Sequence, residues 1–284
     1  MAPRDRIITR MRSTQRDAGQ RSVLGRAFAL LTCFTAADSE LSLAELSGRT
    51  GIPKATVHRL VGQLAQWGAV EQTPAGVRLG MRLFELGQLA PRHRDLRESA
   101  LPHMEDLQQA TAHTVHLAVL DGTEVVYLEK LLGRGGPPLP SRVGGRMPAY
   151  CTGVGKALLA FSPDAAAVEA ATSDMVRLTP HTITIPAVLQ RELADIRRSG
   201  LAFDREESTP GVVCVACPVL GRAHDVVAAV SISGWSNRLD TGRVASAVRT
   251  ATLSISRQLG AVQSTLGPAA TGAGASATAS GVLR

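Results

Sequence analysis

Near the N-terminus, hydrophobic residues recur at helical spacing in three short segments. The first covers residues 22–34, and the second follows Ser42 and Glu45, which have the pattern of a capping box. Gly51 suits the turn that ends the second helix, and Pro53 suits the start of the third. The inward face of the third helix is formed by Val57, Leu60, Val61 and Leu64. The pattern therefore predicts two helices joined by a tight glycine turn.

Two short strands are predicted next, at residues 70–72 and 77–79, around the turn sequence Thr-Pro-Ala-Gly. A helical pattern covers residues 80–90 and is interrupted by Pro91. Beyond it, helices are predicted at about 95–111, 155–161, 186–199 and 241–263, with strands at 114–120, 124–131, 212–220 and 226–233. Antiparallel strand pairs with helices packed against them indicate an α+β domain.

Composition limits the class of protein. No apolar run approaches the roughly 20 residues that span a bilayer, and the N-terminus lacks the apolar segment of a secretory signal. We therefore expect a cytoplasmic protein without a membrane partner. The four cysteines are then expected to be reduced thiols. Aromatic residues make up only 3% of the chain, so aliphatic side chains must form the core.

The net charge is +7, and the basic excess lies at the front of the chain. It is carried by Arg4, Arg6, Arg10, Arg12, Arg16, Arg21 and Arg26. A basic arm beside a small helical domain is typical of proteins that bind polyanions. The alternative is a solvated tail with no function.

The predicted second helix, glycine turn and third helix have the order of a helix-turn-helix, and the hairpin after them has the place of a wing. Residues at the start of such a recognition helix reach base edges in the major groove, while hydroxyls and arginines nearby hold phosphates. The candidate DNA-binding residues are Ser42, Lys54, Ala55, Thr56, His58, Arg59 and Arg78. The alternative is a helical bundle whose charged faces are only solvated.

Residues 22–263 resemble the IclR family of regulators. The resemblance is carried by SVLGRAFALL, LSLAELSGRTGIPKATVHRLVGQLAQWGAVEQ, GVRLGMRLFELG, TGVGKALLA, GLAFDREESTPGVVCVACPV and AAVSISG. It implies a winged helix-turn-helix head, a linker helix, a GAF-like effector-binding domain of α+β class, and homodimers that pair into homotetramers on double-stranded operator DNA. The expected segments are a disordered basic arm (1–20), the head (21–80), the linker helix (81–94), the effector domain (95–263) and a disordered tail (264–284).

The second domain has a candidate ligand site even without the resemblance. Alternation along residues 212–220 directs Cys214 and Cys217 to opposite faces, which argues against a metal chelate or redox pair. Ser231 and Ser233 share a face among apolar neighbours. The small-residue loop at Gly153 opens a helix whose free amides attract anions, although the spacing is not that of a P-loop.

The resemblance assigns residues to this site. In IclR-type effector domains an acidic residue, a cysteine, two serines, loop amides and apolar wall residues bind the ligand. The matching positions are Asp204, Cys214, Ser231, Ser233, Gly153, Val154, Met147 and Val212. We expect a small organic acid, with serines and amides on its carboxylate and Asp204 on a hydroxyl or protonated group. Tyr150 beside the loop favours an aromatic acid. The alternative is that these are ordinary polar core residues.

The expected mechanism is a shift between arrangements of the effector domains that alters operator binding, with repression as the expected mode. No cofactor or metal is expected. An enzyme or sensor that uses the same domain is the rival class, but His113, His116 and the acidic residues lack nucleophile-elbow or metal-ligand spacing. A third alternative is a scaffold whose head has lost its affinity for DNA.

Overall fold

The computed structural model describes residues 22–265, with residue 36 excepted. The predicted basic arm and nearly all of the predicted tail lie outside this range. The chain forms two compact units with the division between Pro91 and Arg92. None of the described helices is long and apolar enough to cross a membrane.

The first unit contains three packed helices and a small hairpin. Its elements are α1 (Val23–Thr32), α2 (Leu43–Thr50), α3 (Lys54–Gln66), β1 (Val70–Gln72), β2 (Val77–Leu79) and the exposed helix α4 (Met81–Gln88). As predicted, Ser42 and Glu45 form a capping box, and Gly51 ends α2 with a φ of 71°. The core combines Leu30, Leu41, Leu46, Ile52, Val57, Leu60, Val61, Val70 and Val77. This is a winged helix-turn-helix.

The hairpin is attached to the helices by a backbone bridge. Leu41 and Val77 exchange two hydrogen bonds, each 2.8 Å between nitrogen and oxygen. Gly76 lies so close to this bridge that a Cβ atom would be 2.6 Å from the Leu41 carbonyl oxygen. Glycine is therefore required where the wing meets the strand-like segment before α2.

Residues 81–94 do not form the single linker helix that was predicted. Helix α4 ends at Gln88, and a separate helix, α5 (Pro91–Thr111), begins at Pro91, four residues before its predicted start. Proline lacks a backbone N–H and cannot donate to the preceding turn, whereas the first turn of a new helix tolerates it.

The second unit is built on a six-stranded antiparallel sheet. Its strands are β3 (Thr114–Asp121), β4 (Glu124–Leu131), β5 (Arg146–Pro148), β6 (Ala202–Arg205), β7 (Val212–Leu220) and β8 (Val226–Trp235), in the order β5-β4-β3-β8-β7-β6. Its other helices are α6 (Gly153–Phe161), α7 (Ala165–Ser173), α8 (Pro186–Ser199) and α9 (Thr241–Thr265), with a 3-10 turn at Ala149–Cys151.

Helices cover both faces of the sheet. Residues of α5 and α9 pack on one face around Leu117, Val215 and Ile232. Residues of α6, α7 and α8 pack on the other around Ala118 and Ala216. The α+β class is therefore confirmed. Sequence patterns missed β5, α7 and β6, and they placed the start of α6 two residues late.

Candidate functional site

A groove in the first unit is formed by the starts of α2 and α3 and by the hairpin. Four of the candidate DNA-binding residues line it, namely Ser42, Lys54, Ala55 and His58. Thr56 is half-buried, and Arg59 and Arg78 are exposed outside the groove lining. The groove therefore brings together part of the predicted set.

The cations of α3 are available for a polyanion. Among the described residues, neither Lys54 nor Arg59 has an acidic partner within 4 Å, and both are exposed. Arg78 instead pairs with Glu71 at 2.6 Å, an exposed pair that is weak in water. Glu71 takes the Nε and Nη2 donors of Arg78, so a phosphate binds through Nη1 or displaces Glu71.

The Ser42 hydroxyl caps α2 and is not free, although the sequence had suggested that it holds a phosphate. It donates to a Glu45 carboxylate oxygen at 2.8 Å and accepts from the Glu45 amide at 3.2 Å. A hydroxyl has one proton to donate, so a phosphate at this point would have to compete with Glu45.

In the second unit, all eight candidate effector residues line one cavity between the sheet and α6. These are Met147, Gly153, Val154, Asp204, Val212, Cys214, Ser231 and Ser233. The cavity is narrow, because only about 20 Å³ is open to the centre of a water-sized sphere, room for roughly one water molecule. A larger ligand therefore requires the lining to move apart.

Four side chains cross the cavity wall in strand order. Cys214 on β7 lies directly between Ser233 on β8 and Asp204 on β6. His116 on β3 lies opposite Ser231 and is diagonal to Ser233. Hydrogen bonds join the middle of this row, since Ser233 Oγ lies 3.4 Å from His116 Nδ1 and 3.0 Å from Cys214 Sγ. With strands spaced about 4.8 Å apart, the row spans roughly 14 Å from end to end.

Asp204 is a buried carboxylate at one end of the row. One oxygen accepts from the Glu207 amide at 2.7 Å, and the other accepts from the Ser208 hydroxyl at 2.6 Å. Burial raises the pKa of Asp204, and these hydrogen bonds oppose the rise. The carboxylate oxygens retain lone pairs that can accept from a ligand.

His116 is a buried imidazole toward the other end. Its Nε2 lies 2.8 Å from Ser141 Oγ, and its ring is 5.2 Å from that of Tyr127. Burial lowers the pKa of His116 to about 3, with Lys130 adding to the effect, so the ring is neutral at pH 7. A neutral ring offers one donor and one acceptor.

The loop that opens α6 lies close to β7 at the cavity. A Cβ atom at Gly153 would lie 3.4 Å from Cys214 Cβ, so any larger residue would narrow the space. Thr152 caps the helix by accepting from the Gly155 amide at 3.2 Å. Thr152, Gly153 and Val154 thus bring the start of α6 to the cavity wall.

Behind this loop, Lys156 is fully buried between two acids. Its Nζ lies 2.5 Å from a carboxylate oxygen of both Glu192 and Glu207. Burial raises the pKa of Glu207 to about 7 against the lowering effect of Lys156. The group ties α6 to α8 and to the segment after β6.

Several lining residues were not among the predicted effector-binding residues. They are His116, Tyr127, Leu139, Pro140, Ser141, Thr152, Ser208, Thr209. Conversely, Tyr150 does not line the cavity, which corrects the suggestion that its ring favours an aromatic ligand. Its hydroxyl is held by the backbone of Val176, and its ring is buried in the core beside α6. The aromatic side chain in the lining is that of Tyr127.

The lining combines hydroxyls, a thiol, an imidazole and a carboxylate. No lysine or arginine is among its described residues, and the described part of the chain holds no cluster of three potential metal ligands. Cys214 and Cys217 lie on opposite faces of β7, as predicted, since only Cys217 packs with α5 and α9. Burial raises the pKa of the Cys214 thiol, which is therefore not a ready nucleophile.

The buried, neutral His116 makes the second unit sensitive to acid. The pKa of His116 in the folded protein lies below the ordinary value of 6.5. Its contribution to the free energy of unfolding is therefore complete above pH 6.5 and is lost as the pH falls toward 3. We expect wild-type protein to lose about 2 kcal/mol more unfolding free energy between pH 7 and pH 5 than His116→Gln does. Urea titrations at both pH values measure this difference. Asp204 and Glu207 titrate in both proteins, so their effects cancel in the comparison. The exposed control His181→Gln should behave as wild type. Equal losses of unfolding free energy in His116→Gln and wild type would contradict the assignment.

Two family models match the chain. "IclR helix-turn-helix domain" matches residues 23–74, and "Bacterial transcriptional regulator IclR C-terminal" matches residues 88–257. The regulator XynR of Escherichia coli K12 is 35% identical over 243 residues, covering 83% of this chain and 96% of its own. The DNA-binding transcriptional repressor YiaJ of the same organism is 36% identical over 79% of this chain and 82% of its own.

Solved structures of IclR-family proteins are also similar to this chain. An IclR homolog from Microbacterium hydrocarbonoxydans complexed with 4-hydroxybenzoate is 31% identical, with a TM-score of 0.79 over 84% of this chain and all of that one. The Thermotoga maritima IclR is 32% identical, with a TM-score of 0.67 over 84% of this chain and 98% of its own. These relatives are regulators rather than enzymes. The chain belongs to the IclR family of bacterial transcriptional regulators, and its helix-turn-helix head binds DNA.

Proposed function

We propose that this regulator represses transcription from an operator, and that a small organic acid bound in the cavity of the second unit alters its affinity for that operator. The observation that carries the proposal is the convergence of all eight candidate effector residues on one cavity. The ligand's carboxylate is held by the hydroxyls of Ser231 and Ser233 and by amides of Gly153 and Val154. Asp204 accepts from a hydroxyl or protonated group.

On the DNA side, the proposal assigns the major groove to the N-terminal half of α3. Lys54, His58 and Arg59 are exposed there, and Ala55 and Thr56 lie between them. Ser42 and Arg78 contact phosphates in competition with their present acidic partners. Binding is then expected to weaken steeply with salt, because phosphate contacts release counterions.

The proposal includes a homodimer, with pairs of dimers as tetramers. Helices α1 and α4 expose large apolar side chains in the first unit, with Leu24 73%, Phe28 64% and Phe84 63% exposed. Exposed apolar surface of this extent is typical of contacts between proteins. A two-fold dimer would present two recognition helices to half-sites about one helical turn apart, or a multiple of it.

The ligand is tested by removing both serine hydroxyls. We expect Ser231→Ala with Ser233→Ala to weaken binding of 4-hydroxybenzoate, the acid bound by the Microbacterium relative, by about a hundred-fold, because two hydrogen bonds to a charged group are lost. Isothermal titration calorimetry measures the affinity. The control removes Ser173 and Ser246 hydroxyls, which bond only within their own helices.

A double variant that keeps wild-type affinity would refute the serine assignment. If 4-hydroxybenzoate does not bind the wild-type protein, the same comparison is made with the tightest of a set of small carboxylates found by thermal shift. If no acid in that set binds, the proposed effector class is wrong.

A further inference from the structure

Thr209 has a buried hydroxyl that forms a hydrogen bond with none of the described residues. The residue lies between β6 and β7, is 8% exposed and lines the cavity. Only two buried side-chain polar atoms of the described residues lack a partner, Thr209 Oγ1 and Glu207 Oε2. Folded proteins pair nearly all such groups, because an unpaired one has lost its hydrogen bonds to water without replacement. The Thr209 hydroxyl therefore needs an explanation.

The burial of Glu207 Oε2 is explained by the charge beside the same carboxylate. Its other oxygen, Oε1, lies 2.5 Å from Lys156 Nζ, and Glu207 is outside the cavity lining. No charged group among residues 22–265 compensates the burial of the Thr209 hydroxyl in this way. Its backbone is fixed, since its carbonyl oxygen accepts from the Val212 amide at 3.2 Å.

The surroundings of Thr209 indicate which group would meet its hydroxyl. Ser208, its neighbour, donates to Asp204, which holds a carboxylate in the same cavity wall. A second carboxylate placed there would be repelled, and an uncharged hydroxyl would instead donate to Asp204 while accepting from Thr209. The Ser231 hydroxyl also makes no hydrogen bond to the described part of the chain, which leaves it free for the ligand's acidic group.

We propose that Thr209 contacts the effector through its hydroxyl and selects a hydroxy acid over the same acid without the hydroxyl. The inference rests on the proposed function of the cavity and adds a residue and a ligand class to it. Thr209 acts by direct contact, and Asp204 completes the subsite.

The test is Thr209→Val in the full-length chain, which keeps the β-branched shape and removes the hydroxyl. Affinities for 4-hydroxybenzoate and benzoate are measured by calorimetry, and thermal unfolding is measured without ligand. We expect the variant to bind 4-hydroxybenzoate about ten-fold more weakly, to bind benzoate as wild type does, and to unfold at the same or a higher temperature.

The matched control is Thr252→Val. That hydroxyl is also buried, but it donates to the Arg249 carbonyl oxygen at 3.0 Å, and the residue lies on α9 away from the cavity lining. Its loss should lower stability and leave both affinities unchanged.

Each outcome decides a different point. If wild-type protein binds 4-hydroxybenzoate and Thr209→Val binds it with the same affinity, the inference is wrong and the proposed function still holds. A clear fall in the unfolding temperature of unliganded Thr209→Val also overturns it, because the hydroxyl would then have a structural partner. Wild-type protein that binds no acid of the carboxylate set overturns the proposed function, and the inference falls with it.

Discussion

Replacing Lys54 and Arg59 together by glutamine will lower affinity for the operator about a hundred-fold or more while leaving stability unchanged. Both side chains are exposed on α3, and no acidic residue in the described part of the chain pairs with either, so neither supports the fold. A base-edge or phosphate contact of this kind contributes about 1–3 kcal/mol, and two such losses give the stated effect. Fluorescence anisotropy of a duplex from the gene's own upstream region measures it.

The control for this prediction removes two arginines elsewhere. Arg191→Gln with Arg198→Gln on α8 changes the net charge by the same amount and is expected to alter affinity little. The salt dependence of binding should become shallower in the Lys54 and Arg59 variant only. If both double variants lose affinity equally, net charge rather than α3 determines binding.

Lys156→Met is expected to cost about 3–5 kcal/mol of unfolding free energy, the largest effect on stability that we predict. The ammonium group is fully buried and lies between Glu192 and Glu207. Without it, a buried carboxylate is left unpaired, and the fold must keep a proton on Glu207 or admit water. Chemical denaturation measures the loss.

The loss should be greatest at alkaline pH. Glu207 already has a pKa raised to about 7, and a raised folded pKa means that stability declines as the pH rises through that value. Adding Glu207→Gln should restore part of the stability. Lys130→Met is the control, since that lysine donates to a neutral carbonyl of Ser141 and its removal should cost only about 1 kcal/mol. Similar losses from both lysines would contradict the buried-pair account.

The head was predictable because its determinants are local. A capping box at Ser42, a left-handed glycine at Gly51 and the 3.6-residue period of α3 each act within one turn of helix. The break at Pro91 was also visible, but the place where α5 begins was not. Either side of a proline can hold a helix end, and packing of α5 on the sheet decides between them.

The cavity was predictable only in part. Strand alternation places Ser231 with Ser233 and separates Cys214 from Cys217, whatever the sheet order. His116 joins them because β3 lies beside β8, a contact between residues more than a hundred positions apart. Short β6 and the irregular segment with Thr209 have no periodicity to detect. Asp204 was identified from the family resemblance, but the strand β6 that carries it was not predicted.

The most direct test of the account is a hydroxyl-radical footprint of the upstream duplex with purified full-length protein at low salt, with and without the acid that binds most tightly. We predict two protected half-sites spaced by one helical turn or a multiple of it, with protection that changes when the acid is added. Absence of protection on every duplex offered at low ionic strength, the gene's own upstream region included, would contradict it.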